Sequence, residues 1–414
     1  MTFHQPAAPA RLPLLALRAG EQGEKARTVN DTKDKWVVKA EELSREVLAR
    51  HAEDVDRQGR WPSESITALG TEGLLGLTVP QTCGGAAEGA RTFAAVTRIL
   101  AEHCASTAMI YLMHICGTQA IAAAETFPRR DEILRAIAAG RHLSTLAFSE
   151  TGSRSHFWAP VSQAVVERDM HRLSAEKSFV TSAGRADSYI VSTRAVGASD
   201  PLAITLYFVP ADTAGLRVGS AWNGLGLRGN ASAPIRFEKV NVPESYRLSG
   251  EGAGYEMMQN KLLPWFQLGA AAVAVGISRA AAEATRRHML AAKLDHLGQP
   301  LAALATLRAR LGQIYIAVDV QQAFIEHVAG LMENPGPTTL LALLESKAAA
   351  AETALQVSDV AMRACGGAAF GRRLTVERHF RDARAGSIMA PTTDVLYDFV
   401  AKILLDMPLF GASS

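Results

Sequence analysis

Tyr189-Ile190-Val191-Ser192-Thr193 and Ala203-Ile204-Thr205-Leu206-Tyr207-Phe208-Val209 are short β-branched and aromatic runs with turn residues between them, the pattern of neighbouring strands. Ile235-Arg236-Phe237 continues it, and the stretch from about Ser144 to Leu248 reads as a small β domain. Its flanks have a different period. Upstream, Ile66, Leu69, Leu74 and Leu75, then Phe93, Val96, Ile99 and Leu100, recur at helical spacing. Val79-Pro80-Gln81-Thr82-Cys83-Gly84-Gly85 interrupts them as a turn, because proline fixes the backbone and glycine frees it. Downstream of Gly250-Glu251-Gly252-Ala253-Gly254 the helical period returns, with helices expected over 257–294, 301–332, 338–365 and 392–405. The order helices, strands, helices gives a mostly α chain with a central β domain. The expected division is a flexible tail over 1–32, an N-terminal helical domain over 33–143, a middle β domain over 144–250 and a C-terminal helical bundle over 251–414.

Composition supports a folded chain and removes several functions. Of 414 residues, 48% are hydrophobic and 20% charged, which argues against disorder. A formal charge of +2 supplies no basic field for nucleic acid. The four cysteines, Cys83, Cys104, Cys116 and Cys365, are scattered and form no CxxC pair, so a reducing cytoplasm is the expected compartment. His103 with Cys104 and His114 with Cys116 do not project onto one helical face. They read as core residues, with no metal expected. Leu12 to Leu17 is too short for a secretory leader, and the Ala-rich segment from Leu268 is broken by Arg279, so no membrane span is expected.

Three segments can carry chemistry. Leu146-Ala147-Phe148-Ser149-Glu150-Thr151-Gly152-Ser153-Arg154-Ser155-His156-Phe157-Trp158 offers hydroxyl donors and a glycine bend to an anionic or carbonyl-rich ligand; it also suits an ordinary loop. Lys177-Ser178-Phe179-Val180-Thr181-Ser182-Ala183-Gly184 sets an aromatic ring and a hydroxyl two residues apart, on one side of a strand. Such a pair can stack on a flat ring and bond its edge, or can be a core Phe with a half-buried Thr. Gly224-Leu225-Gly226-Leu227-Arg228-Gly229-Asn230 has the glycines of a phosphate loop but leads into strands, so the helix N-terminus of a dinucleotide fold is missing. A β domain between helical domains offers the interdomain clefts where flat ligands sit.

These segments in this order, between helical flanks, resemble the acyl-CoA dehydrogenase superfamily. So do Val79-Pro80 with Gly84-Gly85, Gly366-Gly367-Ala368-Ala369-Phe370-Gly371, and Glu377-Arg378-His379-Phe380-Arg381-Asp382-Ala383-Arg384. The resemblance runs from about Lys35 to Leu405 and implies a helical N-domain, a middle β-barrel, a C-terminal four-helix bundle and bound FAD. It also implies a homodimer or homotetramer, and an electron-transfer flavoprotein or flavin reductase as partner. By resemblance, Phe148 and Ser149 line the flavin ring, Ser155 is the serine of a TEPGxGSD-like stretch, and Phe179 with Thr181 is the aromatic-x-Thr pair beside the flavin. Gly366 and Gly367 match a turn that reaches FAD from a neighbouring subunit, and Thr392 matches the threonine of the EGT motif.

The departures bear on chemistry. Where the family's loop carries a Glu that removes the α-proton of an acyl thioester, Met389-Ala390-Pro391-Thr392-Thr393 has Ala390. The alternative base position on the first long C-terminal helix falls in Pro264-Trp265-Phe266-Gln267-Leu268, with no carboxylate; Trp265, Phe266 and Gln267 would line the acyl pocket. The family's Arg-x-x-Phe-Gly is Leu294-Asp295-His296-Leu297-Gly298, and Arg363 is the residue that could restore the lost positive charge. His156 is the best single candidate for a relocated base, since an imidazole titrates near neutrality; the alternative reading has it packed with Phe157 and Trp158 on a surface loop. Three readings follow: an FAD-dependent oxidoreductase of an acyl thioester carried by coenzyme A or a carrier protein, a monooxygenase using reduced flavin and oxygen, and a non-catalytic or non-redox partner subunit.

Overall fold

The computed structural model describes residues 34–154 and 156–409, so the stretch expected to be a tail, and Ser155, lie outside the described residues. The first helices are α1 (Lys35–Leu43), α2 (Ala49–Gln58), α3 (Ser63–Thr71), α4 (Ala90–His103), α5 (Ala105–Ala123) and α6 (Arg130–Ala138). Asp34 caps α1 by accepting from the Trp36 N–H at 2.9 Å. Gly84, at φ +81°, makes the turn expected after Val79-Pro80. Helix α5 is apolar on nearly every side because it is buried on nearly every side. Its His114 is a core residue: Nε2–H donates to the Leu75 carbonyl at 3.0 Å and Nδ1 accepts from the Ser144 N–H at 3.1 Å. Burial pushes its pKa down to about 4.

Two sheets follow. One has the order β1 (Ser144–Ala147), β4 (Ser188–Arg194), β5 (Ile204–Pro210), with β1 parallel to β4 and β5 antiparallel. The other has the order β2 (Val165–Glu167), β3 (Met170–Val180), β7 (Ala233–Pro243), β6 (Leu216–Val218), all antiparallel. Strands β4 and β5 are buried at six consecutive positions each, so both of their faces are covered.

After a short turn, α7 (Gly254–Met257), come α8 (Leu263–Ala291), α9 (Ala305–Glu333), α10 (Thr339–Cys365), the one-turn α11 (Gly367–Phe370), α12 (Val376–Ile388) and α13 (Thr393–Leu404). Glycines let α8 approach its neighbours closely: a Cβ on Gly269 would meet Leu112 of α5 at 2.3 Å, and one on Gly276 would meet the Arg98 carbonyl of α4 at 2.4 Å. The stretch Gly254–Ala291 is long and apolar enough to cross a membrane, but 78% of its most apolar window is buried inside the protein, as in a core helix.

Two expectations are corrected. The helix expected from 301 begins at Ala305, because a two-residue hairpin, Lys293–Leu294 against Gln299–Pro300, turns at Gly298 and runs into a 3-10 turn over Leu301–Ala303. Residues 376–388, outside the four helices expected from the period, form α12. Its buried stripe is just Val376, His379, Asp382 and Ala383, too narrow and too polar to read as a helical period. Through that stripe the glycine-rich segment 224–230 becomes an interdomain seam. The Asp382 carboxylate accepts from the Leu227 N–H at 2.7 Å, Arg381 reaches Asp56 of α2, and the Gly229 N–H donates to Ser106 of α5 at 3.1 Å. Burial pushes the Asp382 carboxyl up to about 6.

Candidate functional site

The segment after β1 is fixed from beneath by a buried ion pair. Glu150 is 3% exposed and Lys177 of β3 fully buried, with Lys177 Nζ 2.6 Å from Glu150 Oε1. Lys177 also donates to the Phe148 carbonyl at 3.2 Å and the Ser192 carbonyl at 2.5 Å. The second carboxylate oxygen accepts from the backbone N–H groups of Val161 at 2.7 Å and Ser162 at 3.0 Å, and the Ser162 hydroxyl donates to the first. Burial alone would raise the Glu150 pKa; Lys177 and the Ser162 donors outweigh it and hold the carboxyl below the usual range. Glu150 is thus an anionic staple that closes residues 150–162 into a loop.

Aromatic rings carry that loop to the C-terminal helices. Phe148 lies parallel to Phe157 at 6.3 Å between centroids, Phe157 meets Trp158 edge-on at 5.1 Å, and Trp158 packs on Phe399 of α13 at 5.4 Å. His156 is exposed, with its ring packed 5.1 Å from that of Trp158. Ser149 is half-buried, and its carbonyl accepts from the Ser178 N–H at 2.8 Å.

Phe179 and Thr181 do not share one side of a strand. The pairing of β3 with β7 slips between Lys177 and Val180, and Phe179 stands at φ +53°, which turns its ring outward to 71% exposure. Strand β3 ends at Val180; Thr181 is buried, its hydroxyl 3.3 Å from that of Ser232. The Phe179 ring instead meets Trp222 edge-on at 6.3 Å. The bulge that defeats strict alternation is what leaves this ring available to a ligand.

The loop after α12 carries Ala390, half-buried and joined to Pro391 by a cis peptide bond. Thr392 stands at the N-cap of α13 in extended conformation, and its carbonyl accepts from Leu396 at 2.9 Å. Beneath lies Lys347 of α10, 1% exposed, whose Nζ donates to the carbonyls of Gly386 at 3.2 Å, Met389 at 3.1 Å and Pro391 at 2.7 Å. Desolvation pushes its pKa down to about 7. Sequence reasoning missed this residue; the signal was a single cation inside the apolar run Ser346-Lys347-Ala348-Ala349-Ala350. On α8, Trp265 meets the Phe93 ring at 5.3 Å, and Gln267 is buried with neither end of its amide hydrogen-bonded.

Arg363, Gly366 and Gly367 are not brought to this place within one chain. Arg363 lies sixteen positions beyond Lys347 on α10, roughly 24 Å along its axis, and the two glycines follow the end of that helix. Both glycines are exposed with open space where a Cβ would stand, and Phe370 beside them is 89% exposed. The Arg363 guanidinium is bound to Asp359 at 2.6 Å, so it is not a free cation here.

These residues fit half of a flavin site: an outward aromatic ring at Phe179, a buried hydroxyl pair at Thr181 and Ser232, and a rigid loop bearing Phe148 and Ser149. FAD, when bound, would be held there by Phe148, Ser149, Phe179 and Thr181.

Known proteins share this fold. The chain is 27% identical over 357 residues to the mitochondrial short-chain specific acyl-CoA dehydrogenase of Bos taurus, spanning 86% of this chain and 85% of that protein. Its fold matches the structure of butyryl-CoA dehydrogenase from Megasphaera elsdenii with a TM-score of 0.84 at 21% identity, covering 89% of this chain and 97% of the other. It matches the prolyl acyl carrier protein oxidase AnaB with a TM-score of 0.81 at 21% identity, covering 89% and 97%. The family models for the N-terminal, middle and C-terminal domains of acyl-CoA dehydrogenase match residues 30–141, 145–240 and 252–405 in turn. With all three domains matched in order along most of its length, the chain belongs to the acyl-CoA dehydrogenase family.

Proposed function

We propose that the protein is an FAD-dependent oxidoreductase of an acyl thioester, carried either by coenzyme A or by a carrier protein. One observation carries the reading most: the aromatic stack from Phe148 to Phe399 joins the flavin-side loop to the helix that follows Ala390. FAD, when bound, supplies the acceptor for a hydride leaving the β-carbon of the acyl chain. The chain's own part is to hold that acceptor and the thioester in register and to take the α-proton. Ala390 cannot accept a proton, so the proton goes to a relocated group. His156, exposed on the loop after Phe148, is the residue proposed for that role. A homodimer or homotetramer is proposed as the working assembly, because Gly366 and Gly367 can reach a flavin only from another copy. An electron-transfer flavoprotein or a flavin reductase is proposed as the redox partner.

Ala390 itself favours a second reading, an oxygen-dependent monooxygenase supplied with reduced flavin, since that chemistry requires no α-proton base. Anaerobic mixing of the FAD-loaded protein with a panel of coenzyme A and carrier-protein thioesters separates the two. Bleaching of oxidised flavin by any thioester supports the dehydrogenase. Failure across the panel, with an oxygen atom from O2 found in an added aromatic, sulfur or amine compound once reduced flavin is supplied, overturns it in favour of the monooxygenase.

A further inference from the structure

Every hydrogen-bonding direction of the Lys347 ammonium is taken up by one loop. It has three N–H donors, and three carbonyls accept them, those of Gly386, Met389 and Pro391. A neutral amine has only two N–H bonds and could not satisfy all three. The Gly386 carbonyl belongs to the last turn of α12, where helix carbonyls have no intrahelical partner and the helix carries its partial negative charge. Those of Met389 and Pro391 stand on either side of Ala390. No carboxylate is paired with Lys347 among the described residues, so the cation is held by peptide dipoles alone. Burying an ammonium without a counter-ion is costly. A methionine would fill the gap in α10 at less cost, which makes the loop the reason for the lysine.

We infer that Lys347 is a positioning residue that holds residues 389–391 at the acyl thioester, by binding the carbonyls on both sides of Ala390. The inference rests on the acyl-thioester reading given above. The clamp acts at backbone carbonyls, so it fixes the loop whatever side chain stands at 390. Removing it frees the loop without removing any group that touches FAD.

The test uses the full chain loaded with FAD, as wild type, Lys347→Met and Lys347→Arg. Hydrogen exchange is read over 386–396, with α5 as an internal reference. In Lys347→Met the loop amides are expected to exchange about tenfold faster or more while α5 is unchanged, since bonds to a charged donor are lost. Lys347→Arg should recover part of the protection. Crotonyl-CoA is then titrated by its perturbation of the flavin spectrum. Its affinity should fall about tenfold in Lys347→Met while that for FAD stays within about twofold. Loop protection unchanged in Lys347→Met overturns the inference, as does faster exchange with crotonyl-CoA binding unchanged. If Lys347→Met does not fold, Lys347→Arg decides alone: loop exchange and crotonyl-CoA affinity altered together support the inference, and both at wild-type values overturn it. A wild type whose flavin spectrum ignores every thioester tried sinks the acyl-thioester reading instead, while exchange still reports whether Lys347 holds the loop.

Discussion

Two fully buried lysines hold the two loops of the site, and they do it differently. Lys177 has a carboxylate, Glu150, at 2.6 Å and shares with it a network of backbone and hydroxyl groups. Lys347 has three carbonyls and, among the described residues, no counter-ion. The first arrangement is a charge pair whose members are each stranded without the other. The second relies on oriented peptide dipoles at a helix end, which are weaker and adjustable. The loop that carries Phe148 and Ser149 is thereby built as a fixed wall. The loop that carries Ala390 can be reset by changing one side chain.

The largest expected effect tests the adjustable loop. In a His156→Ala background, Ala390→Glu places a carboxylate between the two clamped carbonyls and should raise turnover of a responsive acyl-CoA by about 10²- to 10⁴-fold, read as anaerobic flavin reduction. No gain across acyl-CoA chain lengths would mean that the loop does not face an α-carbon. Next comes the fixed wall: Glu150→Ala leaves Lys177 buried without its partner and should cost about 3–5 kcal/mol in chemical denaturation. A loss below about 1 kcal/mol would erase the distinction between the two lysines, because it would place the pair among exposed ion pairs in worth.

A pH series sharpens the contrast. The Lys347 pKa is about 7 in the folded chain against an ordinary 10.5, so between those values the unfolded chain keeps a proton the folded one has released, and the three-donor clamp is complete only below about pH 7. Stability therefore gains a favourable contribution as pH rises from 7 towards 10, and Lys347→Met should remove that slope from a denaturation series. A slope surviving in Lys347→Met would assign it to other groups. The smallest effect is expected at Gln267, buried with both amide ends unbonded. Gln267→Leu should stabilise the ligand-free protein by about 1–2 kcal/mol in thermal unfolding. Destabilisation instead would mean that an ordered water satisfies the amide.

Much of the fold was legible because periodicity reports burial. The continuous β-branched and aromatic runs over 189–193 and 203–209 and the helical period on both flanks correspond to strands and helices in the same order. Helix α12 escaped because its contacts are polar: Asp382 and Arg381 face a loop more than 150 residues earlier in the chain, and no local pattern encodes that partner. Phe179 was misplaced because strict alternation assumes an unbroken register, which the β3–β7 bulge violates. Lys347 escaped for a related reason: only the folded chain shows that the end of α12 lies over it.

The most direct test of the central claim is the visible absorption spectrum of the purified protein, recorded as isolated, after addition of FAD, and after denaturation to release any flavin. The account predicts the two-band spectrum of oxidised flavin, released in stoichiometric amount on unfolding. A protein that is colourless once FAD has been added and the unbound excess removed, and that binds reduced flavin no better, would contradict it and leave the fold without the chemistry assigned to it.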